Sequence, residues 1–181
     1  MEFRANTHNY RRLIKKAKSG NSKAFRELFE KTHRKLFAYT AARITEKEDA
    51  KDIVQDCFVD LWRALPDFDY RTDQSFLAFV FVILKRKLAH YYQENGHDMA
   101  EFDENTLTTA TVDKPSDEYG VVPLISKLRP EYAEVLRLRY WSNLKFREIA
   151  EIMKEKPSTI KTWHRRAIHE MDNLLKNHEN T

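Results

Sequence analysis

The chain has 181 residues, 33% of them charged, only three glycines and a formal net charge of +4. That is length enough for one domain or two small ones, and so much charge with so little glycine favours long, exposed helices over sheets. A single cysteine, Cys57, excludes an internal disulfide and any multi-cysteine zinc site, and the longest apolar run, nine residues from Phe76 to Leu84, falls far below the ~20 needed to span a bilayer.

The N-terminal stretch carries Arg11, Arg12, Lys15, Lys16 and Lys18 without the apolar core of a signal peptide, so a cytoplasmic protein with no membrane segment is expected. From Ser22 to about Ile44, Phe25, Leu28, Phe29, Leu36 and Phe37 fall at helical spacing between Lys and Arg, which predicts one amphipathic helix or a pair. Between Glu46 and Ala64 the residues Ala50, Ile53, Val54, Cys57, Phe58, Leu61 and Trp62 repeat at three and four, and Pro66 ends that helix. A polar loop, Asp67 to Gln74, follows. The stretch Phe79 to Ile83 has the composition of a strand, but no other segment offers it a partner, and Leu84, Leu88, Tyr91 and Tyr92 continue at helical spacing. A helix from Phe76 to about Glu94 is therefore expected at the centre of the first domain.

From Gly96 to Pro123 the pattern dissolves into Asp, Glu and Thr, and net charge follows suit: +6 over residues 1–95, −6 over 96–123 and +4 over 124–181. This reads as a flexible acidic linker of 28 residues, which at ~3.3–3.6 Å each reaches on the order of 90–100 Å, so the folded parts on either side need not touch. Beyond it, Pro130 sits where a first helical turn tolerates it, and Tyr132, Val135, Leu136 and Tyr140 would form that helix's inner face. A short helix, Phe146 to Met153, comes next. Pro157 then starts a last helix whose inner positions are Ile160, Trp163 or His164, Ala167, Met171 and Leu174. The expected fold is all-α, with a first domain over 1–95, a linker over 96–123 and a second domain over 124–181.

Three constellations could carry function. Ile149, Ala150, Met153, Ile160 and Ala167 can hold two short helices as a helix-turn-helix, and Lys161, Thr162, Arg165 and Arg166 share the outer side of its second helix, where they can neutralise phosphates and bond guanine edges. Asp49, Asp52, Asp56 and Asp60 form an acidic ridge behind the apolar face of their helix, and like charges four apart destabilise an isolated helix unless a basic surface covers them. Lys85, Arg86 and Lys87 adjoin His90, Tyr91 and Tyr92, a mixture of cations and rings suited to unstacked, single-stranded bases; the two tyrosines also fit a plain core role. No phosphate-cradling glycine loop and no HExxH or paired-cysteine pattern exists, so no catalytic residues, metal or cofactor are expected.

In this order the three features resemble the extracytoplasmic-function (ECF) group of bacterial sigma factors, over about residues 20–177. Asp49-Ala50-Lys51-Asp52-Ile53-Val54-Gln55-Asp56-Cys57-Phe58-Val59-Asp60-Leu61-Trp62 is similar to that family's polymerase-binding stretch in region 2. Leu128-Arg129-Pro130-Glu131, Val135 to Arg139 and Glu148-Ile149-Ala150-Glu151-Ile152 are similar to region 4. The resemblance implies a region 2-like bundle and a region 4-like helix-turn-helix that bind core RNA polymerase at its clamp helices and flap. It assigns polymerase binding to Asp49, Asp52, Gln55, Asp56 and Asp60. Minus-ten DNA would be opened by Asp69 and Arg71 of the loop with Lys85, Arg86, His90 and Tyr91. Upstream DNA would meet Ser158, Thr159, Lys161, Thr162, Arg165 and Arg166. An anti-sigma factor or a recruiting DNA-binding protein would be a further partner.

Lys154 and Glu155 stand where the family's turn usually has glycine and a small apolar residue, and Trp163 and His164 are unusual in its recognition helix. Weak sequence discrimination upstream is the corresponding expectation. Two alternatives remain open on sequence alone: a sigma-like adaptor brought to DNA by another protein, and a helix-turn-helix regulator that is no polymerase subunit. The latter calls for a ligand-pocket, receiver or dimerisation pattern in the first domain, where the acidic helix and basic aromatic cluster stand instead.

Overall fold

The computed structural model describes residues 10–95, 102–103, 106–107 and 124–179. Among the described residues seven α-helices carry the fold: α1 (Tyr10–Lys18), α2 (Ser22–Ala41), α3 (Lys47–Ala64), α4 (Asp73–Glu94), α5 (Pro130–Leu136), α6 (Phe146–Met153) and α7 (Pro157–Glu179). A 3-10 turn, Leu65–Asp67, places Pro66 just past α3, and a π-helical turn, Arg137–Trp141, extends α5. Phe102–Asp103 and Thr106–Leu107 form a two-residue antiparallel ladder, β1 and β2, the only strands among the described residues. The rest of the linker expected over 96–123 lies outside the described residues. No described helix is long and apolar enough to cross a membrane.

Helix α1 is hidden in the sequence beneath its lysines and arginines, yet Tyr10, Leu13, Ile14 and Ala17 repeat at helical spacing and are buried. Gly20, at φ 84°, turns the chain out of α1 in the left-handed region that favours glycine, and its N–H donates to the Ala17 carbonyl at 2.9 Å. Asn21 then caps α2, its Oδ1 accepting from the Ala24 N–H at 2.9 Å. The start of α4 is fixed by a reciprocal box: the Ser75 N–H donates to Thr72 Oγ1 and the Thr72 N–H to Ser75 Oγ, both at 3.0 Å. Behind it Phe76, Leu77, Val80, Phe81, Ile83, Leu84 and Leu88 are buried, and α4 lies against α1, α2 and α3. Each such side chain contributes on the order of 1.5–3 kcal/mol relative to exposure, which is why the strand-like composition of Phe79 to Ile83 does not matter.

The second domain departs from the sequence expectation in two ways. It is packed onto the first: α6 lies along α4, the π turn touches α2, and Val135, Leu138, Leu144, Ile149 and Ile152 share one apolar core with α1 to α4. The expectation that the two parts need not touch does not hold for this arrangement. Tyr140, expected on the inner face, is 57% exposed. The wider π turn shifts the register after Leu136, so Leu138 points inward in its place.

Lys154 closes α6 at φ 54° and ψ 39°, the conformation a glycine adopts there without steric cost. The unusual turn residue therefore preserves the geometry between α6 and α7. Replacing it, Lys154→Gly, is expected to stabilise the fold by ~1 kcal/mol, because the clash of Cβ in the left-handed region is relieved. Urea unfolding measures this, and an unchanged or lowered midpoint would contradict it.

Candidate functional site

The acidic ridge is real as a surface, but its four aspartates are not equivalent. Asp49 accepts a hydrogen bond from the Tyr91 hydroxyl at 2.7 Å. Asp60 is paired with Lys87 at 2.6 Å and, more loosely, with Arg63 at 3.6 Å. Asp52, Gln55 and Asp56, between them, are exposed, and neither Asp52 nor Asp56 has an ion-pair partner among the described residues. The helix thus ties down both ends of its acidic stripe and leaves the middle to an outside surface. Val59 and Trp62, 47% and 38% exposed, continue that surface along α3.

The ridge and the basic aromatic cluster are the two walls of one cleft. An opening of about 240 Å³ is lined by Asp49, Asp52, Ile53 and Asp56 from α3 and by Lys87, His90, Tyr91 and Glu94 from α4. His90 is exposed and lies 3.5 Å from Glu94. Tyr91 is half-buried, and burial followed by the Asp49 hydrogen bond pushes its hydroxyl up to about 12, so it remains a donor at neutral pH. Its partner in sequence, Tyr92, is a core residue whose hydroxyl donates to the Arg43 carbonyl at 2.9 Å.

The run Lys85, Arg86, Lys87 does not form one cationic face. Helical geometry sends the three in different directions. Arg86 is exposed and, with Arg63, Asp60, Ala64 and Ile83, lines a second opening of about 350 Å³. Lys87 is engaged with Asp60. Lys85 is buried and points at the second domain, so in this arrangement it is not presented to DNA, contrary to the sequence expectation.

Asp69 and Arg71 project from the loop before α4 as an exposed pair 3.4 Å apart. The loop under them is anchored: Phe68 stacks on Phe79 with centroids 4.6 Å apart, the Lys18 ammonium donates to the Phe68 carbonyl at 2.9 Å, and the Tyr70 hydroxyl donates to Asp73 at 2.6 Å. Arg86, His90 and Tyr91 lie toward the other end of α4, ~20 Å away at 1.5 Å per residue. The residues expected at minus-ten DNA therefore occupy two separate ends of one helix.

On α7, Ser158, Lys161, Arg165 and Arg166 are exposed while Thr159 and Thr162 are half-buried, and no ion pair engages Lys161, Arg165 or Arg166 among the described residues. The Thr162 hydroxyl donates to the Ser158 carbonyl at 3.0 Å. The two residues unusual for this helix have structural roles. Trp163 packs inward against both apolar clusters, and His164 stacks on Tyr140 and meets Phe146 edge-on, with centroids 5.7 and 5.1 Å away. Burial, and then the nearby Arg139, lower the His164 pKa and favour the neutral ring. The expectation of weak discrimination rests on these residues and on the turn, so it loses its basis.

Sequence reasoning missed a buried ionic cluster between the domains. Glu134 on α5 accepts from the Tyr39 hydroxyl at 2.7 Å, pairs with Lys85 at 3.0 Å and is bonded to Arg43; Arg137 is buried beside them. Burial pushes the Glu134 carboxyl up, but Lys85, Arg43 and the hydrogen bonds from Tyr39 and Lys85 outweigh it and hold it at about 2. Burial, then Arg43, bring the Arg137 guanidinium down to about 10. The available signal was two charges, Glu134 and Arg137, in a run from Tyr132 to Leu138 whose other residues are all apolar or aromatic.

Residues 28–97 match Sigma-70 region 2, and residues 123–171 match Sigma-70, region 4. The ECF RNA polymerase sigma factor BldN of Streptomyces coelicolor is 23% identical over 171 residues, which span 90% of this chain and 64% of BldN. The RNA polymerase sigma factor YlaC of Bacillus subtilis is 26% identical over 163 residues, 84% of this chain and 93% of YlaC. In fold, the chain resembles the sigma factor RpoE solved in complex with the anti-sigma factor NepR from Bartonella quintana, at a TM-score of 0.61 and 21% identity, over 85% of this chain and 98% of that one.

Proposed function

From a chain that belongs to the ECF type of the sigma-70 family, and so directs promoter-specific transcription initiation with core RNA polymerase, we propose a division of labour among its surfaces. The middle of the acidic ridge, Asp52, Gln55 and Asp56, docks on the clamp helices of the largest polymerase subunit. Asp49 and Asp60 hold α3 against α4 and shape that surface from its ends. Asp69 and Arg71 at one end of α4, and Arg86, His90 and Tyr91 at the other, meet the melted minus-ten strand: cations for phosphates and rings for unstacked bases. Ser158, Thr159, Lys161, Thr162, Arg165 and Arg166 of α7 face the upstream element, while region 4 as a whole approaches the polymerase flap. On this reading the protein works in the cytoplasm, with an anti-sigma factor among its partners, as RpoE has in its complex.

The observation that carries this division is that Asp52 and Asp56 are exposed and without an ion-pair partner among the described residues, while the aspartates flanking them are satisfied within the protein. Unpaired carboxylates in a row favour a basic partner, and the basic side of α7 favours DNA in the same way. The second half is tested on the full chain in holoenzyme, by titrating upstream promoter DNA at several salt concentrations. Lys161→Ala, Arg165→Ala and Arg166→Ala together are expected to flatten the log-log salt dependence by about 0.9 for each phosphate no longer neutralised. An unchanged slope would remove α7 from the upstream contact.

A further inference from the structure

We propose that α1 is a further DNA-binding element, in which Arg11, Lys15 and Lys16 hold the sugar-phosphate backbone of promoter DNA beside the loop that carries Asp69 and Arg71; this rests on the functional reading above, which gives that loop to minus-ten DNA. The helix lies before residues 28–97, the part that matches Sigma-70 region 2, so that match gives it no task. It carries Arg11, Arg12, Lys15, Lys16 and Lys18 and no acidic residue, and all five cations are exposed. Arg11, Lys15 and Lys16 have no ion-pair partner among the described residues. Lysines in the last turn suit the helix dipole, but Arg11 and Arg12 stand in the first turn, where cations oppose it. Like charges four apart, Arg11 with Lys15 and Arg12 with Lys16, repel as well. A polyanion laid along the helix relieves both effects.

Placement says which polyanion. Arg11, Lys15 and Lys18 recur at four and three residues and so form one ridge. One end is tied to the loop by the Lys18 ammonium, which donates to the Phe68 carbonyl at 2.9 Å. At the other, Tyr10 packs on Phe76 with centroids 5.1 Å apart, and Arg11 comes near Tyr70: burial, then the hydrogen bond and charge of Asp73, push the Tyr70 hydroxyl up to about 12, and Arg11 opposes them. Two of the loop's acids are already engaged, Asp69 by Arg71 and Asp73 by Tyr70. The ridge thus extends the loop's surface with cations over about 10 Å at ~1.5 Å per residue, the axial span of about three phosphates of one strand at ~3.4 Å each. A lipid surface fits less well, because Tyr10, Leu13, Ile14 and Ala17 are all buried and leave no apolar face to enter it. A protein partner would lack an aromatic anchor on the same ridge.

The test uses the full chain in holoenzyme. Arg11→Gln, Lys15→Gln and Lys16→Gln together touch only exposed positions, and helicity is checked by circular dichroism. Binding to a promoter fragment is expected to fall about tenfold, and the log-log salt dependence to flatten by about 0.7–0.9 for each cation removed, while affinity for core polymerase stays at the parent value. An unchanged slope would overturn the proposal, and so would a loss confined to core binding, which would give the ridge to the polymerase. Position is read separately. Cys57 is buried, so Lys15→Cys supplies an accessible thiol for a tethered iron chelate, which is expected to cut the DNA backbone beside the minus-ten element; cutting elsewhere or none would overturn the assignment. If the parent holoenzyme itself binds no promoter, the functional reading is contradicted. The ridge is then judged on the full chain alone with forked DNA of arbitrary sequence, where the triple variant is again expected to flatten the salt dependence, and an unchanged slope or no binding by the parent would overturn it.

Discussion

Reversing both Asp52 and Asp56 to lysine is expected to weaken binding to core RNA polymerase by about a hundredfold or more, which corresponds to about 3 kcal/mol. Each reversal removes an attraction and adds a repulsion in the middle of the ridge, where neither carboxylate has an ion-pair partner of its own among the described residues. The apolar side of α3, from Ala50 through Leu61, is untouched, so helicity and unfolding midpoint should stay near the parent values. Equilibrium binding to core polymerase at fixed salt is the measurement, and raising the salt should weaken the parent far more than the variant. Wild-type affinity in the double variant would make the ridge an ordinary solvated face.

Trp163→Ala is expected to cost about 3 kcal/mol of stability, near the lower end for a large aromatic because the side chain is only partly buried. Its indole bridges the two apolar clusters, touching the core that α4 and α6 share as well as the smaller one around Leu124, Tyr132 and Met171. Truncation should therefore loosen the second domain while the folded fraction keeps its upstream base preference. Unfolding followed alongside binding to a library of upstream sequences separates the two effects. A variant of parental stability whose base preference is altered would return Trp163 to the DNA-reading surface.

These outcomes also mark where the sequence is legible. Helices α2, α3, α4, α6 and α7 stand at their expected places because their apolar residues repeat at three and four, and burial follows that period. The π turn is not legible: it depends on which carbonyl each N–H selects, and residue types do not encode that choice clearly, so helical spacing alone puts Tyr140 on the wrong side. Domain packing is hidden for a different reason. Arg43, Lys85, Glu134 and Arg137 look like surface residues one at a time, and only their meeting in space makes them interior. The site behaves likewise. Four aspartates on one stripe can be read directly, but not that Tyr91 and Lys87 already satisfy two of them.

That this chain makes core polymerase start at its own promoters is tested most directly by mapping transcript 5′ ends from core polymerase with and without the full chain on a genomic template. The expected result is a set of start sites that depend on the chain and share two upstream elements at a fixed separation, one near minus ten and one near minus thirty-five. Start sites identical to those of core polymerase alone, or new ones with no shared upstream sequence, would contradict it.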